Sequence, residues 1–284
     1  MCTLAWEKIT HFGTGAKYLD TLKQEKLSIN NKFNLEFLKA IFSTGSPLSP
    51  ESFEYIYSHI KKNLHLASIC GGTDIVSCFL LGNLYQPVIL GEIQSKGLGM
   101  DVDIFDEKGK SIQNKKGELV CKKPFPSMPL KFWNDVGDKK YKEAYFMKYE
   151  NIWHHGDYAE VKNSGGFVIY GRSDATLNPG GVRMGTAEIY SEVEKFDEIR
   201  ETLAVGQTWE NDIRIILFVV LESKYKLTKK LIVKIKEQIK KNVSPRHVPS
   251  KIISIKDIPK TKNGKIVELA VKQTIEGEKI KNLE

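Results

Sequence analysis

Long apolar runs are missing from this sequence. Nowhere in its 284 residues does one approach the roughly 20 apolar residues that span a bilayer, so no membrane partner is expected. Cysteine is scarce: Cys2, Cys70, Cys78 and Cys121 form no Cys-x-x-Cys pair and have no histidine nearby at zinc spacing. A disulfide scaffold is therefore not expected, and reduced thiols in the cytoplasm are the simpler reading. Met1 to Lys17 holds no basic start followed by an apolar stretch, so no secretory leader is expected. Internal repeats and low-complexity tracts are lacking as well, which argues against a solenoid or a disordered linker. What remains is a chain of ordinary globular composition, 41% hydrophobic and 27% charged. It is long enough for one large domain or two ordinary ones.

The net charge of +8 is unevenly placed. Residues 221–284 carry 17 lysines and arginines against 7 acids, whereas the other 220 residues carry 26 against 28. Such a surplus suits a polyanion, including a phosphorylated cofactor, and it equally suits a lysine-rich solvated helix face. Aromatic rings are nearly absent there, with only Tyr225 between residues 224 and 284. Binders of single-stranded nucleic acid interleave rings with basic groups, so no nucleic-acid partner is expected.

Periodicity divides the chain near Asp174. Before it, Leu19, Leu22 and Leu27 suggest a helix or two, and Leu35 to Phe42 reads as a further helical stretch. Glu51 to Asn63 follows Ser49-Pro50, a helix start with proline near the first turn. Leu66 to Ile69 reads as a buried strand running into Gly71-Gly72. Short strands follow at Met100–Asp106, Glu118–Cys121, Tyr158–Lys162 and Phe167–Tyr170, with hairpin-type connections at 106–109 and 162–166. After Gly171 the spacing predicts a helix over Thr186–Phe196 capped by Thr186, a strand over Ile213–Leu221, a helix over Thr228–Val243 and a strand over Lys251–Ile255. That order is a small α+β domain.

Four segments carry candidate chemistry. Gly71-Gly72-Thr73-Asp74 ends an apolar strand, where glycines admit a ligand close to the backbone and a hydroxyl beside a carboxylate can hold phosphate and Mg²⁺; a plain turn would look the same. Trp153-His154-His155-Gly156-Asp157 enters a strand, and an Asp fixed there can accept two hydrogen bonds from vicinal ribose hydroxyls. Adjacent histidines on a strand point to opposite faces, so His154 and His155 do not make a metal site by themselves. The stretch from Tyr170 to Ile189 sets Arg172 and Arg183 among glycines ahead of a helix N-terminus, a combination that favours anions and also fits a tight interdomain turn. Finally, Pro259-Lys260-Thr261-Lys262-Asn263-Gly264-Lys265 presents Lys265 from a turn, where an ammonium can neutralise charge developing on a phosphate.

In order and spacing these segments, with Gly117-Glu118-Leu119 between them, resemble the adenylate-forming superfamily of acyl-CoA synthetases, luciferases and peptide-synthetase adenylation domains. Pro124 to Pro129, Phe132 to Asp135 and Trp153 to Asp157 look most like its acetoacetyl-CoA synthetase branch. The resemblance implies a mixed α/β fold. Residues 1–173 would be the carboxyl-terminal part of a large AMP-binding domain, with α/β layers and a small distorted β-barrel. Residues 174–284 would be a small mobile α+β domain. It implies an ATP-dependent acid–CoA ligase whose small-molecule partners are ATP, Mg²⁺, CoA and a short-chain acid: acetoacetate, or else acetate or propionate. Position by position, it implies that Gly45, Ser46 and Pro47 pack against adenine and that Gly72, Thr73 and Asp74 sit at the phosphates, Asp74 also meeting Mg²⁺. Asp157 would bind the ribose, Arg172 the nucleotide nearby, and Arg183 would lie near the phosphate. Asp174 would be the hinge, Gly181 would line the pantetheine tunnel, Arg246 would meet the phosphates of CoA, and Lys265 would be the catalytic lysine.

The resemblance spans less than half of a typical family member. The family's Ser/Thr/Gly-rich phosphate loop, expected upstream of Gly45, is not in this sequence; Gly13 to Lys17 fits neither that signature nor GxxxxGK[ST]. Two readings stay open: part of an active ligase, or a non-catalytic remnant that still folds and binds nucleotide or CoA weakly.

Overall fold

The computed structural model describes residues 1–210, 212–261 and 266–280. They form two compact units, Met1–Ile169 and Tyr170–Glu284. Among the described residues no helix is long and apolar enough to cross a membrane.

The first unit begins with α1 (Cys2–Trp6), β1 (His11–Gly15), α2 (Ala16–Gln24), β2 (Ala40–Thr44), α3 (Pro50–His59) and β3 (His65–Ser68). The three strands lie side by side in the order β1-β2-β3, all parallel. Leu19, Leu22, Ile41, Phe53, Ile56 and Leu66 from these helices and strands share one core with Leu38, which precedes β2. The α3 start is as expected: Ser49 caps it through the Ser52 N–H, with Pro50 in the first turn. Leu35–Phe42 is not a helix. The carbonyls of Leu35, Glu36 and Leu38 instead accept the Lys61 ammonium at 2.8, 2.7 and 2.7 Å. Lys39 and Ala40 donate to the Thr10 carbonyl and start β2. An ammonium with three donors has replaced the helical hydrogen bonds those carbonyls would otherwise accept.

The chain then builds two further sheets: β4 (Cys70–Gly72), β5 (Ser77–Leu81) and β6 (Ser95–Lys96), followed by β7 (Val102–Phe105), β8 (Gly117–Cys121), α4 (Lys139–Tyr145), β9 (Trp153–Val161) and β10 (Phe167–Arg172). Their orders are β4-β5-β6 and β10-β9-β8-β7. Phe79, Leu80, Val102, Ile104, Leu119, Trp153 and Phe167 belong to a single core between them. The expected barrel is thus an open pair of sheets among the described strands, linked by the bridge Ile93↔Phe167.

The second unit holds α5 (Thr186–Val193), β11 (Ile199–Trp209), β12 (Asp212–Leu221), α6 (Lys229–Asn242), β13 (Lys251–Ser254) and α7 (Glu268–Glu276). β11 and β12 are antiparallel and β12 and β13 parallel. The apolar face of α6, Leu231, Ile235 and Ile239, packs with Ile189, Val193 and Leu217, while its lysines face solvent. The cap of α5 is Gly185, not Thr186: the Glu188 carboxylate accepts the Gly185 N–H at 3.2 Å, and Thr186 is buried.

Candidate active site

Parallel strands leave their carboxyl ends along one edge, where α/β sheets characteristically take ligands. β2 and β3 pair through Ser43↔Ser68, so the loop Gly45-Ser46-Pro47 and the segment starting at Cys70 leave the same edge. Gly45 turns with φ +87° and all three loop residues are exposed. Gly71 is required sterically: a Cβ there would run into the Ser77 carbonyl oxygen and approach the Cys78 Cα to 2.7 Å. At Gly72 a Cβ would lie 3.2 Å from His155 Cε1. Close strand packing thus already explains the glycine pair. Thr73 and Asp74 then project from an exposed turn closed by the Val76 N–H on the Thr73 carbonyl at 3.2 Å.

Asp157 is brought to this segment by β9. It is buried, its Oδ2 accepts the Cys70 thiol at 3.1 Å, and His155 Nε2 lies 3.5 Å from the same oxygen. That Nε2 also faces the Gly71 carbonyl at 3.2 Å. As strand alternation requires, His154 turns the other way and meets the buried Glu118 carboxylate at 2.9 Å. A residue the sequence reading missed is Tyr145: its hydroxyl donates to Asp74 Oδ2 and its ring stacks on Trp153 with centroids 3.6 Å apart. Nothing in a seven-residue helix such as Lys139–Tyr145 marks one tyrosine for that task. Asp74 fits a Mg²⁺ held through one carboxylate and substrate phosphates, with one of its oxygens taken by the Tyr145 hydroxyl.

The second unit carries the remaining candidates. Arg172 and Asp174 are half-exposed, with the guanidinium Nε 3.8 Å from Oδ1. Arg183 is engaged locally: its Nε donates to Thr176 Oγ1 and a terminal nitrogen to the Ser173 carbonyl, each at 3.0 Å. With the bridge Leu177↔Met184, this closes the stretch from Ser173 to Met184 into a hairpin-like loop. At its tip Gly180 and Gly181 have φ +59° and +73°, and a Cβ on Gly181 meets nothing within 4 Å. The tip is fastened by Asp212, which accepts the Gly180 N–H at 2.8 Å; this bond, with that from Ile213, holds the Asp212 carboxyl below the usual carboxylate range. Arg246 is exposed on a 3₁₀ turn whose neighbour His247 is buried against Ser244 and Glu188 at 2.8 and 3.4 Å.

Lys265 lies outside the described residues, but both ends of its loop are fixed. Lys260 pairs bidentately with the buried Glu201 at 2.8 and 2.7 Å, Lys260 and Ile266 form a β-bridge, and the Val267 N–H donates to the Pro259 carbonyl. Just beyond, the Tyr190 hydroxyl donates to Glu268 and accepts the Ala204 N–H at 3.0 Å. Burial, and then the Glu268 charge, push the Tyr190 phenol well above its ordinary range, while burial raises the Glu268 carboxyl. A raised glutamate binds its proton more tightly when folded. The stability it gives is therefore full below the ordinary glutamate range and is lost as pH rises to the raised value. As pH rises above the ordinary glutamate range, melting temperatures are expected to fall more steeply in the native chain than in Glu268→Gln.

Residues 188–265 match the AMP-binding enzyme C-terminal domain family. Over 280 residues the chain is 54% identical to an acetoacetyl-coenzyme A synthetase of Rhizobium meliloti (strain 1021), covering 99% of this chain and 43% of that protein. It is 48% identical over 274 residues to acetoacetyl-CoA synthetase of Xenopus tropicalis, covering 96% and 41%. The solved acetoacetyl-CoA synthetase of Streptomyces lividans superposes with a TM-score of 0.90 at 38% identity, covering 98% of this chain and 42% of that one. The chain therefore spans about two fifths of the length of the relatives it matches. Residues 188–265 thus carry the AMP-binding enzyme C-terminal domain, and over nearly all of its length this chain is similar to about two fifths of acetoacetyl-CoA synthetases.

Proposed function

We propose that the chain serves an acid–CoA ligase that activates acetoacetate with ATP and transfers the acyl group to CoA. The observation carrying this reading is Asp157, a buried carboxylate at the carboxyl edge of the sheet beside Gly71 and Gly72, in a sequence that keeps 54% identity with an acetoacetyl-CoA synthetase along 99% of its length. Acetoacetate is taken from the relatives' chemistry, with acetate and propionate as the competing acids.

In this reading Asp157 accepts the ribose hydroxyls, Gly45 to Pro47 flank the adenine, and Gly72, Thr73 and Asp74 face the phosphates. Asp74 would hold Mg²⁺, which would supply charge neutralisation for the phosphates, and Tyr145 occupies one oxygen of Asp74 so that the other is the one offered. The acid carboxylate attacks the α-phosphorus and pyrophosphate leaves, with Lys265 neutralising the charge on the α-phosphate oxygens. The CoA thiol then attacks the acyl carbon, and AMP departs with the electrons of the acyl–oxygen bond. Residues 1–173 act as the AMP-binding part and residues 174–284 as the mobile part. Asp174 is the hinge, Arg172 serves the nucleotide and Arg183 stiffens the loop bearing Gly181. Gly181 leaves room for pantetheine, as its empty Cβ position allows, and the exposed Arg246 meets CoA phosphate. The second reading is a folded portion that binds nucleotide or CoA without turnover. Acid-dependent exchange of labelled pyrophosphate into ATP separates the two. Exchange on this chain is expected to be strongest with acetoacetate; none with acetoacetate, acetate or propionate selects the second reading.

A further inference from the structure

Side chains of three different metal-ligating types converge at one point in the first unit. Cys70 Sγ, a ring nitrogen of His155 and a carboxylate oxygen of Asp157 all lie within 4.8 Å of one another, the only such group of His, Cys, Asp and Glu among the described residues. Sequence spacing hides it, since Cys70 is 87 residues from Asp157 and the adjacent histidines diverge. β4 supplies the cysteine. β9 supplies His155 and Asp157, two positions apart and so on one face of the strand.

The two edges that meet at Asp157 are those of a small tetrahedral site. Zinc binds sulfur at about 2.3 Å and nitrogen or oxygen at about 2.0–2.2 Å, so its ligands stand about 3.3–3.8 Å from each other. Here Sγ is 3.1 Å and His155 Nε2 3.5 Å from Asp157 Oδ2. Cys70 and His155 already stand at nearly such distances from the Asp157 oxygen, and all three groups lie within 4.8 Å of one another. They are also held in place: the His155 ring stands edge-on to Phe79 at 4.8 Å, and its side chain and that of Asp157 are 9% and 12% exposed. The Gly71 carbonyl oxygen, 3.2 Å from His155 Nε2, or a water offers the fourth position.

We propose that Cys70, His155 and Asp157 form a binding site for a thiophilic divalent cation, with Zn²⁺ the ion best matched. Thiolate, imidazole and carboxylate together select zinc over Mg²⁺ or Ca²⁺, which take oxygen alone. On binding, the Cys70 thiol proton, now donated to Asp157, is released to solvent. The ring proton that His155 Nε2 directs at Gly71 moves to Nδ1, so that the Nε2 lone pair faces the ion. No change of oxidation state is involved. Where Asp157 serves a ribose, ion and nucleotide compete for one carboxylate, and the ion acts as an inhibitor. That consequence rests on the function proposed above; cation binding does not, and it stands whether or not the chain exchanges pyrophosphate.

Cobalt(II) replaces zinc with a visible signature, so titration of the reduced, full chain with Co²⁺ is the test. One equivalent is expected to give tetrahedral d–d absorption and a thiolate-to-cobalt charge-transfer band, both abolished by Zn²⁺. Cys70→Ser is expected to remove the charge-transfer band, and His155→Gln to weaken Co²⁺ affinity by at least about tenfold, in line with loss of a ligand. Cys78→Ser and Cys121→Ser leave both unchanged. X-ray absorption at the zinc edge of the native chain gives a reading that needs no variant: one sulfur and a shell of nitrogen and oxygen. The proposal is overturned by the absence of a charge-transfer band, by a band that survives Cys70→Ser, or by a zinc shell with no sulfur or more than one.

Discussion

Asp157→Asn is expected to weaken binding of AMP or ATP by about a hundredfold while leaving the melting temperature nearly unchanged. The asparagine keeps the shape of the side chain and an oxygen that can still accept the Cys70 thiol, so the first unit keeps its packing. What it loses is charge. Hydrogen bonds to an ionised acceptor contribute about 1.5–3 kcal/mol each, against about 1 kcal/mol between neutral groups. Two ribose hydroxyls losing that difference give roughly 2–3 kcal/mol, and 1.4 kcal/mol is tenfold in affinity. Calorimetric titration of both proteins with AMP reads the result directly. Equal affinities would remove Asp157 from the nucleotide site and with it the observation on which the proposed function rests.

Trp153→Ala is expected to produce the largest loss of stability in the first unit, about 3–5 kcal/mol. Trp153 is fully buried and its ring meets Phe79, Phe125, Tyr141, Phe146 and, stacked, Tyr145. Removing it opens a cavity at the meeting point of β9, β5 and α4, which these rings cannot close without leaving their rotamers. Its indole N–H has no hydrogen-bond partner among the described residues, so part of the native stability is already offset there. Trp153→Phe removes that orphan donor and is expected to cost much less, on the order of 1 kcal/mol. Urea unfolding followed by circular dichroism compares the three. The alanine variant is also expected to lose nucleotide affinity, because Tyr145 no longer holds Asp74; a loss confined to stability would separate the aromatic cluster from the site.

Periodicity exposed much of the second unit and little of the chemistry around Asp157. The α6 repeat of Leu231, Ile235 and Ile239 and the apolar run of β12 were visible because each element has one face to bury, and the structure buries those faces. β11 escaped notice although it is the longest strand. Glu201 and Thr202 interrupt its apolar pattern, and the Lys260 ammonium that pairs with the buried Glu201 is 59 residues away. Leu35–Phe42 misled for a similar reason: the Lys61 ammonium that draws its carbonyls out of a helix is 23 to 26 residues downstream. The motifs around Gly71 and Asp157 were legible as types, because glycine and a strand-borne acid are unusual locally. Cys70 and Tyr145 were not. Their significance comes from what β4 and α4 set beside them, and no local spacing encodes that.

The bond from Gly180 to Asp212 has a mechanical meaning. It fastens the glycine tip to the first residue of β12, and β12 is the central strand of its sheet. Arg246 is anchored to α5 through His247 and Glu188, and α5 packs on that same sheet. The glycine tip and the exposed arginine therefore belong to one rigid lever. If Asp174 is the hinge proposed above, a swivel there would carry both together, with their mutual spacing set by the sheet and insensitive to the angle turned.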